Sequence, residues 1–322
     1  MNIYAENLRG RDPAYVMSEA LLRSIIDPEL KAHITVRWND DPDLRALAEA
    51  DVFVGGGFDH QRVAKHAQRL RLVHSTSAGI ERYLPLDWLP SGAAFTNSRG
   101  IHAEKAREYM TWALPALHAG LPRFTQAQNE RRWDRKLTGL IAGKHLAVLG
   151  LGALGGAVAE AARALGLRVT AVTRSGKPSP MMRVFSIEHL AAVLPTADFL
   201  VVACPLTPAT RGLIGAEAIA RLPSTASVIN IGRGPIIDTT ALCAALSQNR
   251  LAGALLDVFD VEPLPTDSPI WDTPGLLVTP HVSCDAPDNI SRSLQILGRN
   301  VKKLLDGSAS QLENRVDGDL GY

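Results

Sequence analysis

The stretch AVLGLGALGGAVAEAARALG, residues 147–166, places an apolar run, a glycine-rich turn and an alanine-rich run in that order. Gly150, Gly152 and Gly155 form the pattern GxGxxG. Between a strand and a helix, such glycines permit a tight turn, close approach of a phosphate and close helix–strand packing. We therefore predict that a dinucleotide pyrophosphate is held at the start of this helix by Gly150, Leu151, Gly152, Ala153, Leu154 and Gly155. The alternative is a turn that only packs the helix on the sheet.

The stretch VTAVTRSGKP, residues 169–178, follows the glycine turn at the distance where such folds place an acid. That acid bonds the ribose 2′-hydroxyl of NAD, about 20 residues beyond the turn. No acid is present, and the stretch offers Thr173, Arg174, Ser175 and Lys177. Arginine binds phosphate through its planar fork, and lysine adds a point charge. The stretch therefore predicts NADP(H) in preference to NAD(H); the alternative is a solvated surface loop.

Apolar runs of strand length recur on both sides of the glycine turn. They lie at 2–6, 34–38, 51–56, 72–76, 93–100, 145–150, 168–173, 199–204, 227–231, 254–259 and 276–280. We predict helices over 102–118 and 288–305, and a polar loop over 126–137. Strands that alternate with helices, and are almost wholly apolar, are typical of parallel sheets covered on both faces. The fold class is therefore α/β, with two Rossmann-like, doubly wound parallel-sheet domains.

Composition narrows the functional class. The 322 residues suffice for about two domains. A net charge of +1 gives no reason to expect a nucleic acid or an anionic membrane as partner. The N-terminus lacks an apolar signal region, and no apolar run approaches the length of a membrane span. Cys204, Cys243 and Cys284 form no CxxC, and the histidines no HExxH, so we expect a cytoplasmic protein with neither disulfides nor a bound metal.

Three further motifs each follow an apolar strand. They are NIGRGPIID (230–238), LLDVFDVEPLP (255–265) and LLVTPHVS (276–283), which carry Arg233, Glu262 and His281. Ligands of open α/β sheets bind beyond the carboxyl ends of the strands. Taken singly, the three residues read as a surface arginine, a loop acid and a structural histidine, but as a set they predict one reaction centre.

With these motifs the chain resembles the D-2-hydroxyacid dehydrogenase family over nearly its whole length. The resemblance rests on the glycine turn, CPLTPATRGLI (204–214), NIGRG, ALLDVFDVEPLP and TPHVS, in this order. It implies two Rossmann-like domains with the active site in the cleft between them. It also implies a discontinuous substrate-binding domain, residues 1–98 and 287–322, with a dinucleotide-binding domain, 99–286, inserted in it.

The resemblance also implies roles for individual residues. Arg233 would bind the substrate carboxylate, Glu262 would pair with His281, and His281 would be the acid/base. Asp257 would contact the nicotinamide carboxamide. The chemistry suits these residue types, because a histidinium beside a carboxylate can protonate the alkoxide formed from a 2-oxo acid. The remaining cofactor contacts would be Cys204, Pro205, Thr210, Ile231 and Gly232, together with Arg233, Asp257 and His281.

The first domain should complete the site through HSTSAGIERY, residues 74–83. Its resemblance to the family's carboxylate-binding segment points to the backbone of Ser77, Ala78 and Gly79, although a plain strand-to-helix turn would look the same. VGGGFD, residues 54–59, is a second glycine-rich strand end that could line the cleft. One departure lies in EKAREYM, residues 104–110, where the family often has a histidine at the place of Tyr109. We interpret that position as structural.

These observations favour an NADPH-dependent reductase of small 2-oxo acids of the glyoxylate or hydroxypyruvate type, giving D-2-hydroxy acids. A bulkier 2-oxo acid is an open alternative. A relative that acts on formate or phosphite would not need the Glu262–His281 pair, and a cofactor-sensing, corepressor-like binding protein would not need turnover. The family usually forms homodimers through the cofactor domain, and the helix over 102–118, with Trp112, is a candidate interface.

Overall fold

The computed structural model describes residues 1–26 and 28–318. The chain divides into two compact units: unit 1 comprises Met1–Ile101 and Ala286–Tyr322, and unit 2 comprises His102–Asp285. Residues 319–322, the end of the predicted segment 287–322, lie outside the described residues. In the part of the chain that is described, no helix is long and apolar enough to span a membrane.

The elements alternate between strand and helix along most of the chain. The strands are β1 (Asn2–Asn7), β2 (His33–Trp38), β3 (Val52–Gly55), β4 (Leu72–Ser75), β5 (Ala94–Thr96), β6 (His145–Leu149), β7 (Arg168–Thr173), β8 (Arg183–Ser186), β9 (Phe199–Val202), β10 (Ser227–Asn230), β11 (Gly253–Leu256) and β12 (Leu276–Val278). The α-helices are α1 (Glu19–Ile25), α2 (Leu44–Ala48), α3 (His60–His66), α4 (Ala103–Ala119), α5 (Leu121–Asn129), α6 (Ala153–Ala164), α7 (Leu190–Val193), α8 (Ala216–Ala220), α9 (Thr239–Ser247) and α10 (Asn289–Leu305).

Unit 1 is built on a five-stranded parallel sheet in the order β2-β1-β3-β4-β5. Successive side chains of a strand point to opposite faces. Accordingly, Ile3 and Ala5 pack with α1 and α10, whereas Tyr4 packs with α2 and α3. Because both faces are covered, the central strands β3 and β4 are buried along their whole length, whereas the edge strand β2 is partly exposed.

A buried polar cluster holds the end of β4. His74 is fully buried, and its ring nitrogens hydrogen-bond Thr96 Oγ1 at 2.9 Å and Ser293 Oγ at 3.2 Å. Burial lowers the pKa of His74 to about 4, so its imidazole is neutral at neutral pH. The cluster ties β4 to β5 and α10 immediately before the turn at Ser77.

Unit 2 contains a seven-stranded parallel sheet in the order β12-β11-β10-β9-β6-β7-β8. Leu146 and Val148 pack with α4 and α6, and Ala147 and Leu149 face the side that holds α7 and α9. The first strand of this sheet is β6, and β7 and β8 are added on one side of it. The chain then returns to place β9 on the other side of β6. The strand order therefore reverses between β6 and β9, the point where ligands bind in open α/β sheets.

The predicted fold class is confirmed, with two local differences. β8 was not predicted; it is an edge strand of half-buried and exposed residues that pairs with β7, Ser186 opposite Thr173. The predicted loop over 126–137 is helical as far as Asn129, because Ala127 is buried and Gln126 Nε2 bonds Glu130 Oε1 at 2.9 Å. A single buried position gives too weak an apolar period to reveal this last turn of α5.

Candidate active site

The predicted residues of unit 2 follow the carboxyl ends of neighbouring parallel strands. From one side of the sheet to the other these are His281 after β12, Asp257 and Glu262 after β11, Arg233 after β10, Cys204 after β9, the glycine turn after β6, and Thr173–Arg174 at the end of β7. Parallel strands end at the same edge, so the sheet places the residues predicted to bind the nucleotide and to react along one edge.

Close backbone contacts restrict two of the three glycines of the turn. Gly150 has φ +96°, and a Cβ added there would lie 2.8 Å from the Cys204 Cα. A Cβ at Gly155 would overlap the carbonyl oxygen of Gly150. A Cβ at Gly152, in contrast, would meet nothing within 4 Å. Close packing therefore leaves no room for a side chain at Gly150 or Gly155. At Gly152 the space before α6 is open, and a phosphate could occupy it.

The turn after β7 is compact. Thr173 Oγ1 accepts from Gly176 N at 3.1 Å, and Ser175 Oγ accepts from Lys177 N at 3.4 Å. Gly176 has φ +64°, and a Cβ there would lie 2.7 Å from Ser186 N. These contacts order the backbone that carries Arg174, and the side chains of Arg174 and Lys177 are both exposed.

Arg233 lies on a loop that Asn230 closes. Asn230 Oδ1 accepts from Gly232 N, and Asn230 Nδ2 donates to Arg233 O, both at 3.0 Å. Gly232 packs against the Cys204 carbonyl, 2.9 Å from a Cβ position, and a Cβ on Gly234 would overlap Phe259. Sequence reasoning assigned no role to Asn230, although it stands at the start of the NIGRG motif.

Glu262 and His281 form a hydrogen-bonded pair. His281 Nδ1 lies 2.6 Å from Glu262 Oε2, and Glu262 Oε1 accepts from Phe259 N at 2.9 Å. The bond to Glu262 outweighs burial and raises the pKa of His281. Burial raises the pKa of Glu262, but the bonds from His281 and Phe259 N outweigh it, so its pKa is lowered. Nδ1 is thus occupied, so any proton transfer by the half-exposed ring would have to use Nε2.

Arg233 lies close enough to this pair to act on it electrostatically. Its positive charge lowers the pKa of both His281 and Glu262, as a minor contribution beside the hydrogen bond that joins them. The structure therefore brings together the three residues that the motifs predicted as one centre.

Asp257 is fully buried and organises the segment around His281. Its Oδ1 accepts from Thr279 Oγ1 at 2.5 Å and Val282 N at 2.9 Å, and its Oδ2 accepts from Ser283 N at 2.9 Å. The predicted contact of Asp257 with nicotinamide stays a prediction.

Three of the other predicted cofactor residues lie in the loop that follows β9: Cys204, Pro205 and Thr210. Burial raises the pKa of the Cys204 thiol to about 12. Thr210 Oγ1 accepts from Thr207 N and bonds the Pro205 carbonyl, both at 2.8 Å, which closes this loop. Ile231 is buried beneath the Arg233 loop.

In unit 1, the turn after β4 presents two of its three predicted donors. Ser77 N already donates to Ser75 Oγ at 3.2 Å. Ala78 N and Gly79 N make no hydrogen bond to any residue in 1–26 or 28–318. A carboxylate could therefore be bound by the latter pair.

Sequence reasoning missed two contacts from α4 to the His281 segment. His102 Nδ1 lies 3.0 Å from the carbonyl oxygen of Cys284, and Tyr109 Oη lies 2.6 Å from Thr279 Oγ1. These partners stand 182 and 170 residues apart in the chain, so no local pattern links them. Within the residues described, no three His, Cys, Asp or Glu side chains are grouped to hold a metal ion.

The chain is similar to a protein-family model and to several solved structures. Residues 111–283 match the model of the D-isomer specific 2-hydroxyacid dehydrogenase NAD-binding domain. A D-isomer specific 2-hydroxyacid dehydrogenase from Xanthobacter autotrophicus, solved with NADPH and MES, is 30% identical and superimposes with a TM-score of 0.84 over 99% of both chains. An NADPH-dependent glyoxylate/hydroxypyruvate reductase from Sinorhizobium meliloti, solved with NADP and sulfate, is 25% identical with a TM-score of 0.83 over 100% of both chains.

A third relative has a different activity and a longer chain. The D-3-phosphoglycerate dehydrogenase of Methanocaldococcus jannaschii is 27% identical over 306 residues, which are 93% of this chain but only 57% of that enzyme. The family model covers more than half of the present chain, and the similarity to the Xanthobacter enzyme extends over nearly all of it. This chain therefore belongs to the D-isomer specific 2-hydroxyacid dehydrogenase family, and it is an oxidoreductase that uses a nicotinamide cofactor.

Proposed function

We propose that this protein is an NADPH-dependent reductase of small 2-oxo acids, of the glyoxylate or hydroxypyruvate type, and forms D-2-hydroxy acids. The observation that carries the proposal is the pair His281–Glu262, joined at 2.6 Å, with the charge of Arg233 acting on both. An acid/base beside a fixed cation is what reduction of a carbonyl next to a carboxylate requires.

The cofactor site fits a phosphorylated dinucleotide. Residues 150–155 would hold the pyrophosphate, because the position before α6 is open at Gly152 and α6 has no side-chain cap there. Arg174, with Thr173, Ser175 and Lys177, would hold the 2′-phosphate. The Xanthobacter and Sinorhizobium relatives, which carry NADPH and NADP, support this choice.

The chain's own residues would bind the substrate carboxylate and donate the proton. The bound nicotinamide would supply the hydride. Arg233 would bind the substrate carboxylate in a bidentate manner, with its loop held by Asn230. Glu262 keeps His281 protonated and oriented through Nδ1, so Nε2 can donate a proton to the oxygen of the carbonyl being reduced.

We assign the remaining contacts to two groups of residues. In unit 1, Ala78 N and Gly79 N would bind the substrate carboxylate, and Ser77 would shape the turn. Unit 1 is thereby proposed as the substrate-binding domain and unit 2 as the dinucleotide-binding domain. In unit 2, Cys204, Pro205, Thr210, Ile231, Gly232 and Asp257 would line the cofactor.

A panel of steady-state assays tests this function. We expect kcat/KM with NADPH to exceed that with NADH, and glyoxylate or hydroxypyruvate to surpass 2-oxo acids with larger side chains. A bulkier or phosphorylated acid as best substrate would favour the alternative that the phosphoglycerate dehydrogenase relative suggests. Absence of turnover with every 2-oxo acid and both cofactors would overturn the proposal in favour of a cofactor-binding protein.

We also propose a homodimer, in a cytoplasmic setting consistent with the free thiols Cys204, Cys243 and Cys284. The support is a run of exposed apolar residues after α5: Trp133 is 93% exposed, Leu140 84% and Leu137 77%. Exposed apolar patches of this kind mark interfaces. Analytical ultracentrifugation should give twice the mass of one chain. The double variant Trp133→Ser, Leu140→Ser should weaken the association of the two chains. A monomer at micromolar concentration would contradict the proposed homodimer. Recovery of the protein with membranes on cell fractionation would contradict the proposed cytoplasmic setting.

A further inference from the structure

Helix α4 and its N-cap residue His102 contact the His281 segment on both sides of His281. Tyr109 Oη lies 2.6 Å from Thr279 Oγ1, two residues before His281. His102 Nδ1 lies 3.0 Å from the carbonyl oxygen of Cys284, three residues after it. Tyr109 and Asp257 are buried, and Thr279 between them is partly buried. The segment that carries the proposed acid/base is therefore attached to a long helix at two points.

The hydrogen bonds at Tyr109 have only one consistent direction. An ionised carboxylate accepts and cannot donate, so Thr279 Oγ1 must donate to Asp257 Oδ1, 2.5 Å away. A hydroxyl has a single proton, so Thr279 must accept from Tyr109. The chain therefore runs from the Tyr109 hydroxyl to the Thr279 hydroxyl and on to the carboxylate of Asp257.

This chain ends at the group that determines the backbone around His281. The side chain of Asp257 accepts hydrogen bonds from Val282 N and Ser283 N. Its backbone carbonyl accepts a further hydrogen bond from His281 N at 2.9 Å. His281 itself has φ +55°, a left-handed conformation that a non-glycine residue keeps only when its surroundings impose it. A displacement of Asp257 would therefore shift the backbone of His281 and with it the imidazole.

We propose that Tyr109 is a positioning residue for His281, acting through Thr279 and Asp257. The inference rests on the proposed function of His281. It gives a role to the position where the family often has a histidine, which the sequence alone led us to interpret as structural.

Charge provides a second connection between Asp257 and His281. The groups that face His281 are Glu262, which is hydrogen-bonded to it, and Asp257, Arg233 and His102, which act through charge. The negative charge of Asp257 raises the pKa of His281, behind the larger effects of Glu262 and burial. Two successive hydroxyl donors hold that carboxylate in its buried position. Removal of the first donor should let the carboxylate shift away from the His281 segment, so its contribution to the pKa of His281 should fall.

The substitution Tyr109→Phe tests the proposal, because it removes only the hydroxyl. We expect kcat to fall about three- to tenfold with little change in the affinity for NADPH. The pKa of His281, followed by NMR of ring-labelled histidine and assigned with His281→Gln, should fall by about half a unit. Tyr4→Phe is the matched control, because Tyr4 in unit 1 is also buried and its hydroxyl accepts a hydrogen bond from Asp43 N, outside the His281 segment.

Variants of Thr279 separate positioning from general stability. Thr279→Ser keeps the hydroxyl and should retain the wild-type pKa of His281, whereas Thr279→Val should reproduce Tyr109→Phe. The two losses should not add in the double variant, because both interrupt one chain. An unchanged His281 pKa in Tyr109→Phe, with only a lower melting temperature as in Tyr4→Phe, would overturn the proposal. The NMR titration needs no substrate, so it decides this point even if the proposed reduction fails.

Discussion

Replacement of His281 by alanine is expected to lower kcat for 2-oxo acid reduction about 10³-fold, the usual contribution of a positioned general acid. The loss should fall on kcat rather than on NADPH binding, because the other cofactor groups follow different strands of the sheet. Steady-state kinetics with glyoxylate and hydroxypyruvate, together with NADPH fluorescence titration, would measure both quantities. Full turnover of every 2-oxo acid in His281→Ala would exclude the mechanism.

The pH dependence supplies a stricter form of the same prediction. Reduction needs the protonated imidazole, and the hydrogen bond to Glu262 raises the pKa of His281 above the ordinary value of 6.5. The rate of reduction should therefore fall as pH rises through the raised pKa of His281. Glu262→Gln keeps an acceptor for Nδ1 but removes the charge, so the fall should move about one pH unit lower. An unmoved profile would show that another group limits the reaction.

The sequence was informative about the site wherever strand ends coincide with motifs. Arg233, Glu262 and His281 could be grouped before any coordinates, because parallel strands deliver their carboxyl ends to one edge. Gly150 and Gly155 could be predicted because their backbone conformation and packing admit no Cβ. These inferences depend on local pattern and on the regular geometry of a parallel sheet.

The same reasoning could not find contacts that depend on tertiary packing. Tyr109 was noticed only as a departure from the family pattern, and its partner Thr279 is brought to it by the packing of α4 on the sheet. β8 escaped notice because an edge strand shows neither the apolar run of a central strand nor a clear alternation. Residues of this kind become visible only when side chains distant in sequence are placed together.

Arg174→Ala is expected to raise the KM for NADPH roughly 10- to 100-fold, since hydrogen bonds to charged groups contribute about 1.5–3 kcal/mol and 1.4 kcal/mol is tenfold. The KM for NADH should change little, because NADH has no 2′-phosphate to lose a partner. Added salt should weaken NADPH binding more in the wild type than in the variant. Parallel KM measurements for both cofactors would give the ratio directly.

Arg168 provides the matched control for this experiment. It is an exposed arginine on the same strand, β7, but it begins that strand, whereas Arg174 follows its end. Arg168→Ala removes the same charge from the same unit, so it should leave the NADPH/NADH ratio unchanged if the effect is local. Equal changes for both cofactors in Arg174→Ala would reduce 173–177 to an ordinary surface turn. A selective loss would instead mean that an ordered turn, held by Thr173 Oγ1 and backed by Ser186, has replaced the acid that favours NAD with a phosphate-binding arginine.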